Sequence, residues 1–129
     1  MTPAEVCVSY LAAFGTATGA GDADAVVAHV TDDFVNEHTA ALGSGCVGKN
    51  EYARRVPGFL QSMPQLRYEV EDVLADGNRV AVAYTLHTFV NERNVAVRGL
   101  MRFLVRDELI AHRVDYWDSL VFQRQAGMV

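Results

Sequence analysis

Ile110-Ala111-His112-Arg113-Val114-Asp115-Tyr116-Trp117-Asp118 is the stretch on which the fold turns. It is the one place where charges interrupt an apolar, strand-like run near the end of the chain. Side chains alternate across a strand. Arg113, Asp115 and Trp117 therefore share one face, and His112, Tyr116 and Asp118 the other. A pair able to form an ion bridge, set beside the chain's only tryptophan on a face that should pack against helices, calls for a partner network or a ligand.

The segments before this strand have the same period. Leu66 to Leu74 alternates, and Asp76-Gly77-Asn78 is a hairpin signal. Val80 to Val90 and Val95 to Val105 read as long strands, with Asn91–Asn94 between them and Arg106-Asp107-Glu108 turning into the last strand. Before the strands the period changes to helical. Pro3 and Glu5 suit a first turn of a helix reaching about residue 18, with Val6, Tyr10, Leu11 and Phe14 facing inward. Asp22 is an N-cap for a short second helix carrying Val26, Val27 and Val30. Residues 34–39 read as a strand with Phe34, Asn36 and His38 on one side. Residues 49–62 read as a third helix, kinked or cut short at Pro57. Helices first and strands afterwards imply an α+β fold, a curved antiparallel sheet wrapped around N-terminal helices with one early strand at its edge. Strands this long must curl, which leaves a cone-shaped cavity under the helices.

At 129 residues the chain is one domain, 1–129, long enough for one sizeable core. The net charge is −5, and the basic residues, ten Arg and Lys49, are scattered. A nucleic-acid surface is not expected. The apolar runs are broken well short of a membrane span, and no basic residue precedes Lys49, so no signal peptide is expected. Cys7 and Cys46 are too few for a disulfide framework and imply reduced thiols in the cytoplasm. No Cys/His spacing suggests zinc, and His112 and Asp115 point to opposite faces, so no metal is expected. Gly43-Ser44-Gly45 lacks the setting of a phosphate loop, and neither Ser9 nor Ser62 has triad partners nearby.

Gly21-Asp22-x-Asp24, Asp32-Asp33 leading into a strand, Gly48 opening a helix and Asp115-Tyr116-Trp117-Asp118 on the last strand together resemble the SnoaL-like branch of the nuclear transport factor 2-like superfamily. The resemblance covers nearly the whole chain. It implies a cone-shaped, cystatin-like α+β barrel. The superfamily includes ketosteroid isomerases, limonene epoxide hydrolases, polyketide cyclases, dehydratases and non-enzymatic binding or assembly domains, so the fold alone does not fix the chemistry. Against ketosteroid isomerase, the general-base position falls at His38, while the two oxyanion donors fall at Phe14 and Gly99 and are missing. Steroid isomerisation by that route is not expected. Against limonene epoxide hydrolase, the last-strand acid falls at Asp115, and its Arg and Asp partners fall near Tyr84 and Leu86 and are absent. Arg113 could replace that arginine from another strand. Polyketide cyclases of this branch also carry an acid at the Asp115 position.

The resemblance therefore implies catalytic roles for His38, Asp115 and Arg113, and a ligand-binding wall of Phe14, Asn36, Tyr84, Met101, Phe103 and Trp117. Histidine titrates near neutrality and can act as base and acid. A His–Asp pair across an apolar cavity suits proton transfer next to a carbonyl, or water addition to a strained or conjugated bond. The expected ligand is a small hydrophobic molecule, with no cofactor. The plainer readings are that Asp115 and Arg113 form an internal ion pair, that His38 is a hydrogen-bonded strand-end histidine, and that Tyr84 and Trp117 are core aromatics. A cavity that is kept while the chemistry is lost would make a binding or assembly module. His29 is expected in solvent, and His87 and His112 on the outer sheet face. That face alternates Ala81, Ala83, Thr85 and His87 with Arg98, Leu100, Arg102 and Leu104. It is apolar enough to imply a homodimer, with Arg98 and Arg102 near the interface.

Overall fold

The computed structural model describes residues 1–129. Helix α1 (Pro3–Ala13) starts at a reciprocal cap: the Thr2 hydroxyl accepts from the Glu5 N–H while the Glu5 carboxylate accepts from the Thr2 N–H. Its inner stripe, Val6, Cys7, Tyr10 and Leu11, is buried. The helix stops at Ala13, short of the expected residue 18. Gly15 follows in the left-handed region, pressed against the Leu66 carbonyl where a Cβ would not fit. The chain then folds into a tiny hairpin, β1 (Gly15–Thr16) with β2 (Gly19–Ala20).

Asp22 caps α2 (Ala23–Val27) as its sequence position implies, accepting from the Asp24 N–H. Next come β3 (Val30–His38), the short β4 (Cys46–Val47) and α3 (Lys49–Ser62). Helix α3 has the expected bounds, and of the two alternatives at Pro57, a kink or an early ending, the early ending does not occur. It buries Tyr52 and Val56 against Phe34 and the α1 aromatics. Strands β5 (Arg67–Asp76), β6 (Arg79–Val90), β7 (Arg93–Arg106) and β8 (Leu109–Trp117) form the antiparallel meander expected of the second half. Their turns use backbone that only glycine or strained residues adopt: Gly77, Asn91-Glu92 and Asp107-Glu108 all have positive φ.

The six-stranded sheet runs β4-β3-β8-β7-β6-β5. The meander is antiparallel as expected, and the sheet as a whole is mixed because β3 lies parallel to β8. The early strand is also not an edge: β4 covers its outer side. A further helix not foreseen from the sequence, α4 (Ser119–Gln125), follows β8 directly. Asp118, taken from the pattern as the end of the strand, caps it by accepting from Leu120 and Val121. Helix α1 lies against β5 to β8 and α3 against β3, with α2 packed between the two helices. The core lies between, with Phe34, Val82, Met101 and Ile110 completely buried. Each such side chain stabilises the fold by ~1.5–3 kcal/mol over its exposed state.

Candidate functional site

The parallel pairing of β3 with β8 builds the site. Its register sets Asn36 opposite Arg113 and His38 opposite Asp115. Neighbouring parallel residues point the same way, so all four side chains reach toward the space beneath α3. Strand β7 sets Met101 beside Asp115, and β6 brings Tyr84 within reach.

Asp115 and Arg113 are each only 3 % exposed and pair with each other. Arg113 Nη2 donates to Asp115 Oδ2 at 3.1 Å, and Nη1 donates to Asn36 Oδ1 at 3.1 Å. Its Nε points at the Met101 sulfur, 3.3 Å away. The guanidinium carbon stands 5.8 Å from the Tyr10 ring centre and 5.9 Å from that of Phe14, so the cation is held partly by aromatic faces. The Tyr84 hydroxyl donates to the other oxygen, Asp115 Oδ1, at 2.6 Å. Behind Arg113, the hydroxyls of Tyr10 and Tyr52 bond to each other. No sealed-off polar side-chain atom of this cluster lacks a hydrogen-bond partner, as a buried ion pair requires.

His38 meets the cluster from β3. Its Nδ1 lies 3.7 Å from Asp115 Oδ2, beyond hydrogen-bond reach. The Trp117 indole N–H donates to that same Nδ1 at 3.3 Å. Nε2 has no protein partner and is not sealed from the adjoining space. On the ring's other side Gly43 packs so closely that a Cβ there would stand 2.3 Å from the His38 Cβ.

The adjoining space is a cavity of about 470 Å³. Five of the expected residues line it: Phe14, Asn36, His38, Arg113 and Trp117. Tyr84 and Asp115 instead border a separate void of about 40 Å³, shared with His38 and Trp117. That is room for a water molecule. Met101 and Phe103, expected at the ligand, line neither space. Met101 is fully buried beneath Arg113, and Phe103 packs edge-on against Tyr10. Helix α3, the residue just past it and the loop after β3 supply wall residues not expected at the ligand: Tyr52, Arg55, Phe59, Met63 and the run Leu42-Gly43-Ser44. Arg55 holds that loop by donating to the Gly45 carbonyl at 2.8 Å and is itself held by Glu51. Phe122 of α4 closes the remaining side, edge-on to Trp117. The helical stripe of α3 was legible, but not that its flank faces a void. For Phe122 a signal did exist: Asp118 as N-cap and Gly127, with positive φ, just past the helix.

Burial, and next the nearby Arg113 cation, push the His38 imidazole down to about 4. The Asp115 charge 3.7 Å away would favour the imidazolium, but Arg113 already neutralises it, so His38 is neutral at physiological pH. Burial pushes the Asp115 carboxyl up, opposed by Arg113 and the Tyr84 hydrogen bond. Burial, followed by the Asp115 charge, also keeps the Tyr84 hydroxyl protonated. No group of three or more His, Cys, Asp or Glu side chains is placed to hold a metal ion. Nor is any helix long and apolar enough to cross a membrane.

The other histidines lie away from this centre. His29, expected in solvent, is half-buried, with Nδ1 2.6 Å from the Ala25 carbonyl and Nε2 2.9 Å from the Ser9 hydroxyl. On the outer sheet face His87 pairs with Glu69, and His112 stands 3.2 Å from Glu37, too poorly aligned for a hydrogen bond. Arg98 is held by Glu71, and Arg102 donates to the Tyr116 hydroxyl. Leu100, Leu104 and Tyr116 remain more than a third exposed there.

The chain covers 100 % of its length, and 96 % of the other chain, against a protein of ketosteroid isomerase-like fold from Catenulispora acidiphila DSM 44928 in complex with trimethylamine, at 17 % identity and a TM-score of 0.84. An LEH-like epoxide hydrolase of M. tuberculosis superposes with a TM-score of 0.77 at 22 % identity, over 95 % of this chain and 88 % of that one. TerC, co-crystallised with polyporic acid, gives a TM-score of 0.75 at 18 % identity, over 98 % and 99 %. Identities this low speak for the fold alone. Among curated proteins no significant sequence match is found. The pattern of the SnoaL-like domain matches residues 10–113, which include His38 and Arg113. With that match spanning most of the chain on a cone-shaped α+β frame, the protein belongs to the SnoaL-like domain family.

Proposed function

We propose that the protein is a cofactor-free enzyme acting on a small hydrophobic, oxygenated molecule bound in the 470 Å³ cavity. The reaction class is proton transfer next to a carbonyl, or water addition to a strained or conjugated bond, as in cyclases, isomerases, dehydratases or epoxide hydrolases. The observation that carries this reading is the open Nε2 of a neutral His38 in a mostly apolar wall, backed by a buried carboxylate. His38 is the group that touches the ligand. Asp115, anchored by Arg113 and Tyr84, supplies the fixed charge behind it and faces the void with room for a water. Acid–base groups of this kind contribute ~10²–10⁴-fold in rate. Turnover of a panel of cyclic ketones and epoxides should thus fall by about 100-fold or more in His38→Ala and in Asp115→Asn. Equal turnover in the variants would end the reading.

One observation favours a second reading, a non-catalytic small-ligand domain. Both Asp115 oxygens are already occupied by protein donors. That reading expects ligands to bind with no conversion by the wild-type protein. We also infer a homodimer through the outer sheet face, where Leu100, Leu104 and Tyr116 are exposed around Arg102. The two free cysteines fit a reducing, cytoplasmic setting.

A further inference from the structure

We propose that Trp117 is a positioning residue that fixes His38 as the Nε2–H tautomer, so that the imidazole offers the cavity a hydrogen-bond donor for an acceptor oxygen of the ligand. This rests on the cavity being the working site and goes further: with Nε2 protonated, His38 is the hydrogen-bond donor or acid of that site, not its base.

An indole nitrogen can only donate. Its hydrogen, aimed at His38 Nδ1 from 3.3 Å, requires a lone pair there. A neutral imidazole carries one proton, so that proton sits on Nε2. The opposite tautomer would set two N–H groups against each other. It would gain nothing from Asp115, whose nearest oxygen is 3.7 Å from Nδ1 and already accepts from Arg113. Gly43 completes the arrangement. Its backbone packs against His38, with an added Cβ 3.1 Å from Nδ1, which crowds the side of the nitrogen that Trp117 already occupies. His38 lines the cavity, and Nε2 is its ring nitrogen without a protein partner. The other titratable groups around the spaces that His38 lines are Asp115 and Arg113 of β8, Arg55 of α3, and the phenols Tyr52, Tyr68 and Tyr84. None is a closer acceptor that would draw a proton onto Nδ1.

The consequence is selectivity by hydrogen-bond sense. With His38 Nε2–H donating and the Arg113 cation lining the same cavity, the polar wall suits a carbonyl, enolate or ether oxygen. It does not suit an ammonium or an N–H group.

Protein carrying ¹⁵N-histidine, with the His38 signals identified by their loss in His38→Gln, tests this without a substrate. At pH 7 the wild-type spectrum should show Nδ1 bare and Nε2 protonated for His38. In Trp117→Phe, which keeps an aromatic ring but removes the N–H, Nδ1 becomes free to take a proton. A mixed tautomer should appear, and the midpoint of His38 titration should rise by about one pH unit, the equivalent of one hydrogen bond. A protonated Nδ1 in the wild-type protein would overturn the proposal whether or not the variant folds, and so would a Trp117→Phe spectrum identical to wild type. Either result leaves the enzymatic reading to its own kinetic test, and absence of turnover leaves the tautomer assignment standing.

Discussion

His38→Gln should remove a specific part of the protein's acid sensitivity. His38 titrates near 6.5 in the unfolded chain and at about 4 in the folded one, because burial and Arg113 disfavour the imidazolium. The unfolded state therefore takes up the proton first as pH falls. Stability due to neutral His38 is complete above 6.5 and is lost as pH falls toward about 4. Each pH unit within that window corresponds to about 1.4 kcal/mol, so the whole window amounts to about 3 kcal/mol. With its side chain only 15 % exposed, His38 feels little solvent screening. Asp115 works with the opposite sign. Its raised folded value favours the native state as pH falls, and it does so in both proteins. The exposed carboxylates likewise cancel between them. Urea unfolding followed by the fluorescence of the single Trp117, at half-unit steps from pH 7.5 to 4, gives the two stability curves. They should converge by about 3 kcal/mol on going down through the window. Parallel curves would mean that His38 titrates normally in the folded protein, and the picture of a buried neutral imidazole would be wrong.

Tyr84→Phe deletes the 2.6 Å hydrogen bond to a buried carboxylate while keeping the ring; equilibrium unfolding at pH 7 should show a loss of about 1.5–3 kcal/mol, shrinking at low pH as Asp115 protonates. Phe122→Ala removes the aromatic wall between the cavity and α4, and a loss of about 3 kcal/mol is expected. It should also shift ligand preference toward bulkier molecules in competition binding, and unchanged size preference would show that α4 does not bound the site. Leu104→Glu, alone or with Leu100→Glu, puts a charge in the exposed apolar patch on the outer sheet face. Light scattering should show wild-type dimers and variant monomers, with the cavity's ligand binding retained, and a monomeric wild type at micromolar concentration would remove the interface.

Local chemistry was enough to set the strands of the second half of this chain. The period-two pattern of β5 to β8 is written in apolar–polar alternation, and the turns in Asp76-Gly77-Asn78, Asn91-Glu92 and Asp107-Glu108. The same alternation put Arg113, Asp115 and Trp117 on the inner face, where all three are found. It could not tell which inward residues meet a void and which meet other side chains. Met101 and Phe103 satisfy the alternation and yet are packed solid. Tyr52 and Val56 fall at ordinary helical spacing and yet line the cavity.

What only the tertiary structure decided is who stands beside whom. No local period tells β3 to run parallel to β8 instead of lying at the edge of a meander, because that choice depends on how α1 to α3 fill the concave side. Yet it is this pairing, through its register, that brings His38 to Asp115 and Asn36 to Arg113 across more than 70 residues of sequence. The proton state of the site follows from the same cause. Burial and neighbouring charge set it, and both are properties of the folded neighbourhood, absent from the side chain alone.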